Sequence, residues 1–231
     1  MPDVSVVWLA FLVACGAVTL GVLHHRHVTR VRDDRGGLFD HCEGLLTRAR
    51  VTRRGLDFPV LVGRRGSVPV RIEPVVDTLS MRTVPVLWLV ATVGLPRPAA
   101  VRLSVLARTC GTEFYSRHHE AGAPVMPGPG WPDSLAVRCD RPERLSAYEG
   151  LLDRLAEFMA DGRVKQVVLS GTTARVVWRC GAAVPSTYRV TRRVDLTGVR
   201  ADPEALGEVL DTVVDLAATA ARGTVAVEAP R

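Results

Sequence analysis

Four side chains able to hold a metal stand in a row at Asp40-His41-Cys42-Glu43, and three more stand at His118-His119-Glu120. Carboxylates, imidazoles and thiolates are the ligands of zinc-like ions, so these clusters are where metal-assisted chemistry would be sought. Ligands must converge on one point, however, and consecutive side chains diverge in helix and strand alike. Asp40, His41, Cys42, His118, His119 and Glu120 could form a site only if the fold assembled them. The plain alternative is a pair of polar stretches, and no spacing here demands a metal or other cofactor.

Other chemistry has less support. Glu149 and Asp153 lie four apart, a helical spacing, but Arg144 and Arg154 surround them and the set reads as a solvated helix face. No G-x-S-x-G elbow is present, and Ser170 sits in LSGTT, a hairpin turn. Neither G-x-x-x-x-G-K nor G-x-G-x-x-G occurs, which leaves no nucleotide cradle. His24, His25 and His27 could sense pH, since imidazole titrates near neutrality, but they also extend a cationic flank. A catalytic role would have to rest on scattered residues.

Leu12-Val13-Ala14-Cys15 resembles a lipobox, with Cys15 as the acylated residue. Two observations oppose it. Met1-Pro2-Asp3 lacks the positive charge of a secretion signal, and GAVTLGVL after Cys15 stays apolar. Val4 to Leu23 is a run of 20 residues without a charge, about 30 Å as a helix and equal to a bilayer's hydrocarbon core. Trp8 lies near its outer end, where interfacial aromatics belong. Residues 1–23 therefore read as a transmembrane anchor that stays in place. Arg26, Arg30, Arg32 and Arg35 all follow the run, and the positive-inside rule puts that side in the cytoplasm. The expected location is the inner (plasma) membrane, single-pass, with the C-terminal domain cytoplasmic.

Charge and cysteine usage are consistent with this. The net charge is +6, and residues 24–82 hold twelve Arg against seven acidic residues. A basic excess beside an anchor suits anionic lipid headgroups. Aromatic residues are 5% of the chain, too few for the interleaved basic and aromatic surface that binds nucleic acid. Lys165 is the single lysine among 30 basic residues, a bias that points to a GC-rich genome more than to function. Five cysteines without C-x-x-C spacing form neither a disulfide framework nor a zinc ribbon.

The elements that would position these residues follow from periodicity. Residues 24–40 read as a basic juxtamembrane linker ending at Gly36-Gly37. Residues 41–120 are strand-rich: Leu45–Arg53 alternates loosely, while Phe58–Arg64 and Val68–Ile72 flank a turn as a hairpin. Val84–Leu95, bracketed by Pro85 and Pro96, is too short to cross a bilayer and reads as a strand covered on both faces. Ala100–Arg108 alternates as another strand. Residues 121–133 carry seven Gly or Pro in thirteen positions and read as a loop between subdomains.

Residues 134–222 form the second part, with 223–231 as a flexible tail. Leu135–Cys139 is a strand, and Asp140-Arg141-Pro142-Glu143 reads as a capped start for a helix over 141–160. Val164–Leu169 and Thr173–Arg179 make a hairpin, and Thr187–Leu196 reads as a further strand. Asp202-Pro203 opens a final helix with Leu206, Val209, Leu210, Val213, Val214 and Ala217 on one stripe. The expected class is α+β: an N-terminal transmembrane helix, then an antiparallel β-rich domain with two amphipathic helices packed on one face.

With RIEPVVDTLSMRTVPVLWLVATVGLP (residues 71–96) in this order of parts, the chain resembles uncharacterised bacterial membrane-anchored proteins with an α+β domain of unknown function. The resemblance lies in architecture and hydrophobic pattern and brings no functional residues. The expected role is an interaction or scaffold module at the membrane, partnered by the bilayer through residues 4–23, by anionic headgroups, and by a protein. A membrane-tethered enzyme and an exported lipoprotein acylated at Cys15 are the alternatives.

Overall fold

The computed structural model describes residues 4–78, 84–107, 122–126, 131 and 134–228, the side chains of 4–7, 10 and 226–228 excepted. It opens with one unbroken helix, α1 (Val4–Gly36). The stretch expected as a linker therefore continues the helix, because nothing between Leu23 and Arg35 breaks it before the glycine pair Gly36-Gly37. A 3-10 turn at Gly37–Phe39 follows and buries Leu38 and Phe39 in the domain core, so part of the expected linker is core. Among the described residues no helix is long and apolar enough to cross a membrane. Over its described side chains, from Trp8 to Leu23, the apolar part of α1 is about 24 Å long, short of a hydrocarbon core of roughly 30 Å.

Among the described residues, the body of the protein is a nine-stranded sheet. Its strands are β1 (Thr47–Thr52), β2 (Val60–Arg65), β3 (Val68–Asp77), β4 (Val86–Gly94), β5 (Leu103–Ala107), β6 (Ala123–Val125), β7 (Leu135–Cys139), β8 (Val164–Ser170) and β9 (Thr173–Ala182). Their spatial order is β1-β2-β3-β4-β9-β8-β5-β7-β6, and every described pair is antiparallel. Both expected hairpins form, turning at Gly66 and Gly171, whose φ values of +60° and +54° a side chain would strain. β5 lies between β8 and β7, so strands from before and after residues 121–133 build one sheet and one core.

Period-two alternation sorts the side chains. Leu61, Ile72, Leu89, Val93, Val105, Val137, Val167 and Val176 point to one face, in register across the strands. That face is covered by α2 (Glu149–Met159) and α4 (Pro203–Glu228). On the other face Trp88, Val90 and Val177 make a small second cluster. β4 therefore buries both of its sides, as its unbroken Val and Leu content implies. The α4 stripe is the expected one, with Leu206, Val209, Leu210, Val213 and Ala217 buried and Val214 partly so.

Three local expectations are corrected. Thr187–Leu196 is not a strand: α3 (Pro185–Thr191) forms instead, with Pro185 in its first turn and Arg192, at φ +56°, ending it. Short alternating runs satisfy either period, and Pro185 favours a helix start. Residues 141–160 split into a 3-10 stretch (Pro142–Tyr148) and α2. Asp140 does not cap that helix; its carboxylate accepts the Arg102 N–H at 2.6 Å and holds the start of β5. At the other end of the domain, α4 runs on to Glu228, through residues expected as tail.

Tyr148 joins three of these pieces. Its hydroxyl accepts from the Ala100 N–H at 3.2 Å and shares a hydrogen bond with Thr224 Oγ1 at 2.9 Å. A Cβ at Gly223 would lie 2.7 Å from the Tyr148 ring, so α4 approaches this closely only because residue 223 has no side chain. Tyr148→Phe should lower the unfolding free energy by about 1 kcal/mol, because the Ala100 N–H and the Thr224 hydroxyl each lose one partner while keeping their bond to each other and that of Thr224 to the Ala220 carbonyl. Gly223→Val should cost more, since ring and helix must separate. Urea unfolding of the full chain in detergent, followed by tryptophan fluorescence, measures both; an unchanged midpoint for either variant would refute the close packing described.

Candidate functional site

The described residues among those singled out for metal chemistry do not meet. Asp40, His41 and Glu43 are exposed while Cys42 is buried, so their side chains diverge as consecutive residues must. Among the described residues no group of three His, Cys, Asp or Glu side chains could hold a metal ion. His118, His119 and Glu120 lie outside the described residues. Cys15 is exposed in the middle of unbroken α1, and Thr19 Oγ1 donates to its carbonyl at 2.8 Å.

Cys42 is a packing residue. Its Sγ donates to the Ala201 carbonyl at 3.6 Å, and Cys180 donates likewise to the Arg200 carbonyl at 3.8 Å. Burial, helped by the negative charges of Asp202 and Asp40, pushes the Cys42 thiol up to about 11. Burial and then the neighbouring Cys42 push Cys180 up to about 12. Both are protonated thiols at neutral pH, poor ligands and poor nucleophiles.

What the fold does assemble is a charged collar where α1 meets the domain. Asp34 accepts the Gly198 N–H at 2.9 Å and lies 3.6 Å from the Arg200 guanidinium. Arg35 donates to the Leu56 carbonyl at 2.7 Å and stacks over the Phe58 ring at 5.0 Å. Arg53 reaches back to the Arg32 carbonyl at 2.5 Å, and the Ala201 N–H donates to the Leu38 carbonyl at 2.8 Å. These bonds clamp the last turns of α1, whereas Trp8 to His27 has no described side chain that is buried.

Two open clefts flank the clamped helix. One, of about 950 Å³, is lined by Leu23, Arg26, Arg30 and Arg200 among others. The second, of about 570 Å³, lies between α1 at His27–Val31 and the segment carrying Thr187, Thr191, Arg193 and Val194. Of the four arginines named from the sequence, Arg26, Arg30 and Arg35 line clefts, and Arg35 also donates into the domain. The chemistry available is anion recognition by guanidinium groups in a partly enclosed, helix-walled space.

Sequence reading missed the domain's own share of this collar: Arg53, Arg193 and Arg200 come from three separate stretches. The signal that could have found part of it is Pro185, whose place before S-T-Y-R marks a helix start. The outer surface of α2 and α4 differs in charge. Glu149, Asp153, Glu157, Glu204, Glu208, Asp211 and Asp215 are exposed there, with Arg154 paired to Asp215 and Arg65 to Asp211.

Two outcomes are expected. The thiols hold their protons in the folded state to a higher pH than in the unfolded chain. The stability they contribute is thus complete below about pH 9 and lost as pH rises towards 11 and 12. The unfolding midpoint should fall between about pH 8 and pH 10.5, and less so in Cys180→Ala; an equal fall in both would refute this. Asp34→Ala should speed tryptic cleavage within Arg30–Arg35 by about tenfold, the loss of one charge-assisted contact. Mass spectrometry of timed digests reads it, and an unchanged rate would mean that Asp34 does not clamp the helix.

No family model matches the chain, and no curated protein does. Among solved structures, the crystal structure of the mycobacterial trehalose monomycolate transport factor A, TtfA, is 11% identical to it, covers 74% of each chain, and superposes with a TM-score of 0.41. At that distance function has to be argued from the chain itself.

Proposed function

We propose that the chain is a single-pass protein of the inner membrane, whose α+β domain lies on the cytoplasmic side as an interaction or scaffold module at the bilayer surface. The observation that carries this reading is the exposure of the apolar half of α1. Trp8 is 62% exposed, Leu20 is 69% exposed, and Phe11, Leu12, Val13, Val18 and Leu23 are more than half exposed. Fully burying side chains of this kind is worth about 1.5–3 kcal/mol each, so a rod of them favours lipid over water by roughly 10 kcal/mol. Val4–Val7, whose side chains lie outside the described set, extend the stretch beyond Trp8 by about 6 Å and bring it to the core thickness.

Charge supplies direction. The arginine-rich collar follows the apolar run immediately, which favours the cytoplasmic side for the domain and attraction to anionic headgroups. The acidic faces of α2 and α4 would be repelled by the same lipids, and that leaves them to a protein partner in the cytoplasm.

Reporter fusions at the C-terminus test the reading: a fluorescent protein that matures only inside, and a phosphatase active only outside. Fluorescence without phosphatase activity is expected, together with release of the domain into the soluble fraction when residues 1–23 are removed. External phosphatase activity would overturn the orientation. Extraction of the full chain by alkaline carbonate would overturn the anchor.

A further inference from the structure

The segment from Val184 to Val194 has features that a soluble surface does not need. Val190, on α3, is 84% exposed, and Val184 and Val194 on either side of that helix are 42% and 38% exposed. Arginines are interleaved with them at 189, 192 and 193, all exposed. Arg192, in the left-handed region, ends α3 and lies over the Tyr188 ring at 5.6 Å, so the chain reverses there and presents Arg193 and Val194 beside the helix. Valines interleaved with arginines on a protruding turn suit the boundary between acyl chains and headgroups, where apolar groups dip in and guanidinium groups stay with phosphate.

Its position matters as much as its composition. Thr187 and Thr191 line the cleft of about 570 Å³, whose other wall is α1 from His27 to Val31. Those α1 residues follow Leu23 by four to eight positions, or about 6–12 Å along the axis. The headgroup layer on each side is about 5–7.5 Å deep, so the near end of that stretch, at His27, falls within it. The segment therefore stands at the outer edge of the headgroups if Leu23 ends the span. Arg30 and Arg193 reach the cleft from opposite walls. Its carboxylates are engaged: Asp34 with the Gly198 N–H and Arg200, Asp195 with the Thr197 N–H at 3.0 Å and with the nearby charge of Arg193, while Arg35 adds a third guanidinium to the lining.

We propose that residues 184–194 are a second membrane contact, and that the cleft between them and α1 receives the phosphate of an anionic phospholipid, held by Arg30 and Arg193. The proposal rests on the anchoring of α1 argued above. It adds that the domain lies down on the bilayer and recognises lipid charge there.

The test uses the full chain, with its native cysteines replaced by alanine and one cysteine restored for a polarity-sensitive fluorophore. The three sites are Val13→Cys in the apolar run, Val190→Cys in the segment, and Glu208→Cys on the acidic helix as an aqueous control. Each is reconstituted into vesicles of phosphatidylcholine alone, or with about one-third phosphatidylglycerol. Labels at 13 and 190 should both be quenched by spin-labelled lipid, the second only with phosphatidylglycerol. Arg30→Glu with Arg193→Glu should return position 190 to the level of position 208 and leave position 13 quenched. Quenching at 13 with none at 190 in either lipid would overturn the contact and leave the anchor standing. Quenching at 190 that ignores lipid charge or the double variant would overturn the phosphate site. No quenching at 13 would overturn the anchor and the inference with it.

Discussion

The pairing of β4 with β9 is the constraint on which the rest depends. Strands β1 to β4 form a meander, and β5 to β9 form a second group in the order β9-β8-β5-β7-β6. Val86–Gly94 against Thr173–Ala182 is the seam that makes one sheet of the two. Along it Leu89 faces Trp178 and Ala91 faces Val176, so the apolar face runs unbroken beneath the helices. A one-residue slip would turn every side chain of one group to the wrong face. On the β4 side the seam is buried on both faces over most of its length.

Secondary structure here was largely legible because most elements obey a single period. The two glycine hairpins, the strand over 135–139 and the α4 stripe could be read from alternation and turn chemistry alone. α3 could not, because a seven-residue helix and a short strand leave the same trace in an arginine- and valine-rich run. Asp140 misled for another reason: a carboxylate before a proline is a good cap, but the Arg102 N–H across the sheet was the better partner, and only tertiary structure brings it near. β5 between β7 and β8 was equally hidden, since strand order depends on which faces match and not on local pattern.

The collar shows the same limit at the level of a site. Arg26, Arg30, Arg32 and Arg35 stood together in the sequence and were easy to name. The contacts that clamp this stretch, Arg32 with Arg53, Arg35 with Phe58, and Asp34 with Gly198 and Arg200, span from 21 to 166 positions along the chain, and no spacing rule connects them. Conversely, Asp40-His41-Cys42-Glu43 looked like chemistry because the residues were adjacent, and adjacency is what drives their side chains apart. Cys42 proves to be a core residue at the point where α1 enters the domain, and its value there is as an apolar volume with a weak donor.

The unbroken run of α1 into the collar has a mechanical meaning. With no flexible joint between the apolar rod and the sheet, the domain has to follow the rod wherever it goes. If α1 spans a bilayer as proposed, it would take up a tilt, which averages about 20° for spanning helices. Through a rigid junction, such a tilt would swing the far end of α4, roughly 39 Å from its start, by an arc on the order of 13 Å. Seated in a membrane, the protein would then behave as a dial hand, its acidic helices sweeping closer to the surface or away from it as the lipid around α1 thins or thickens.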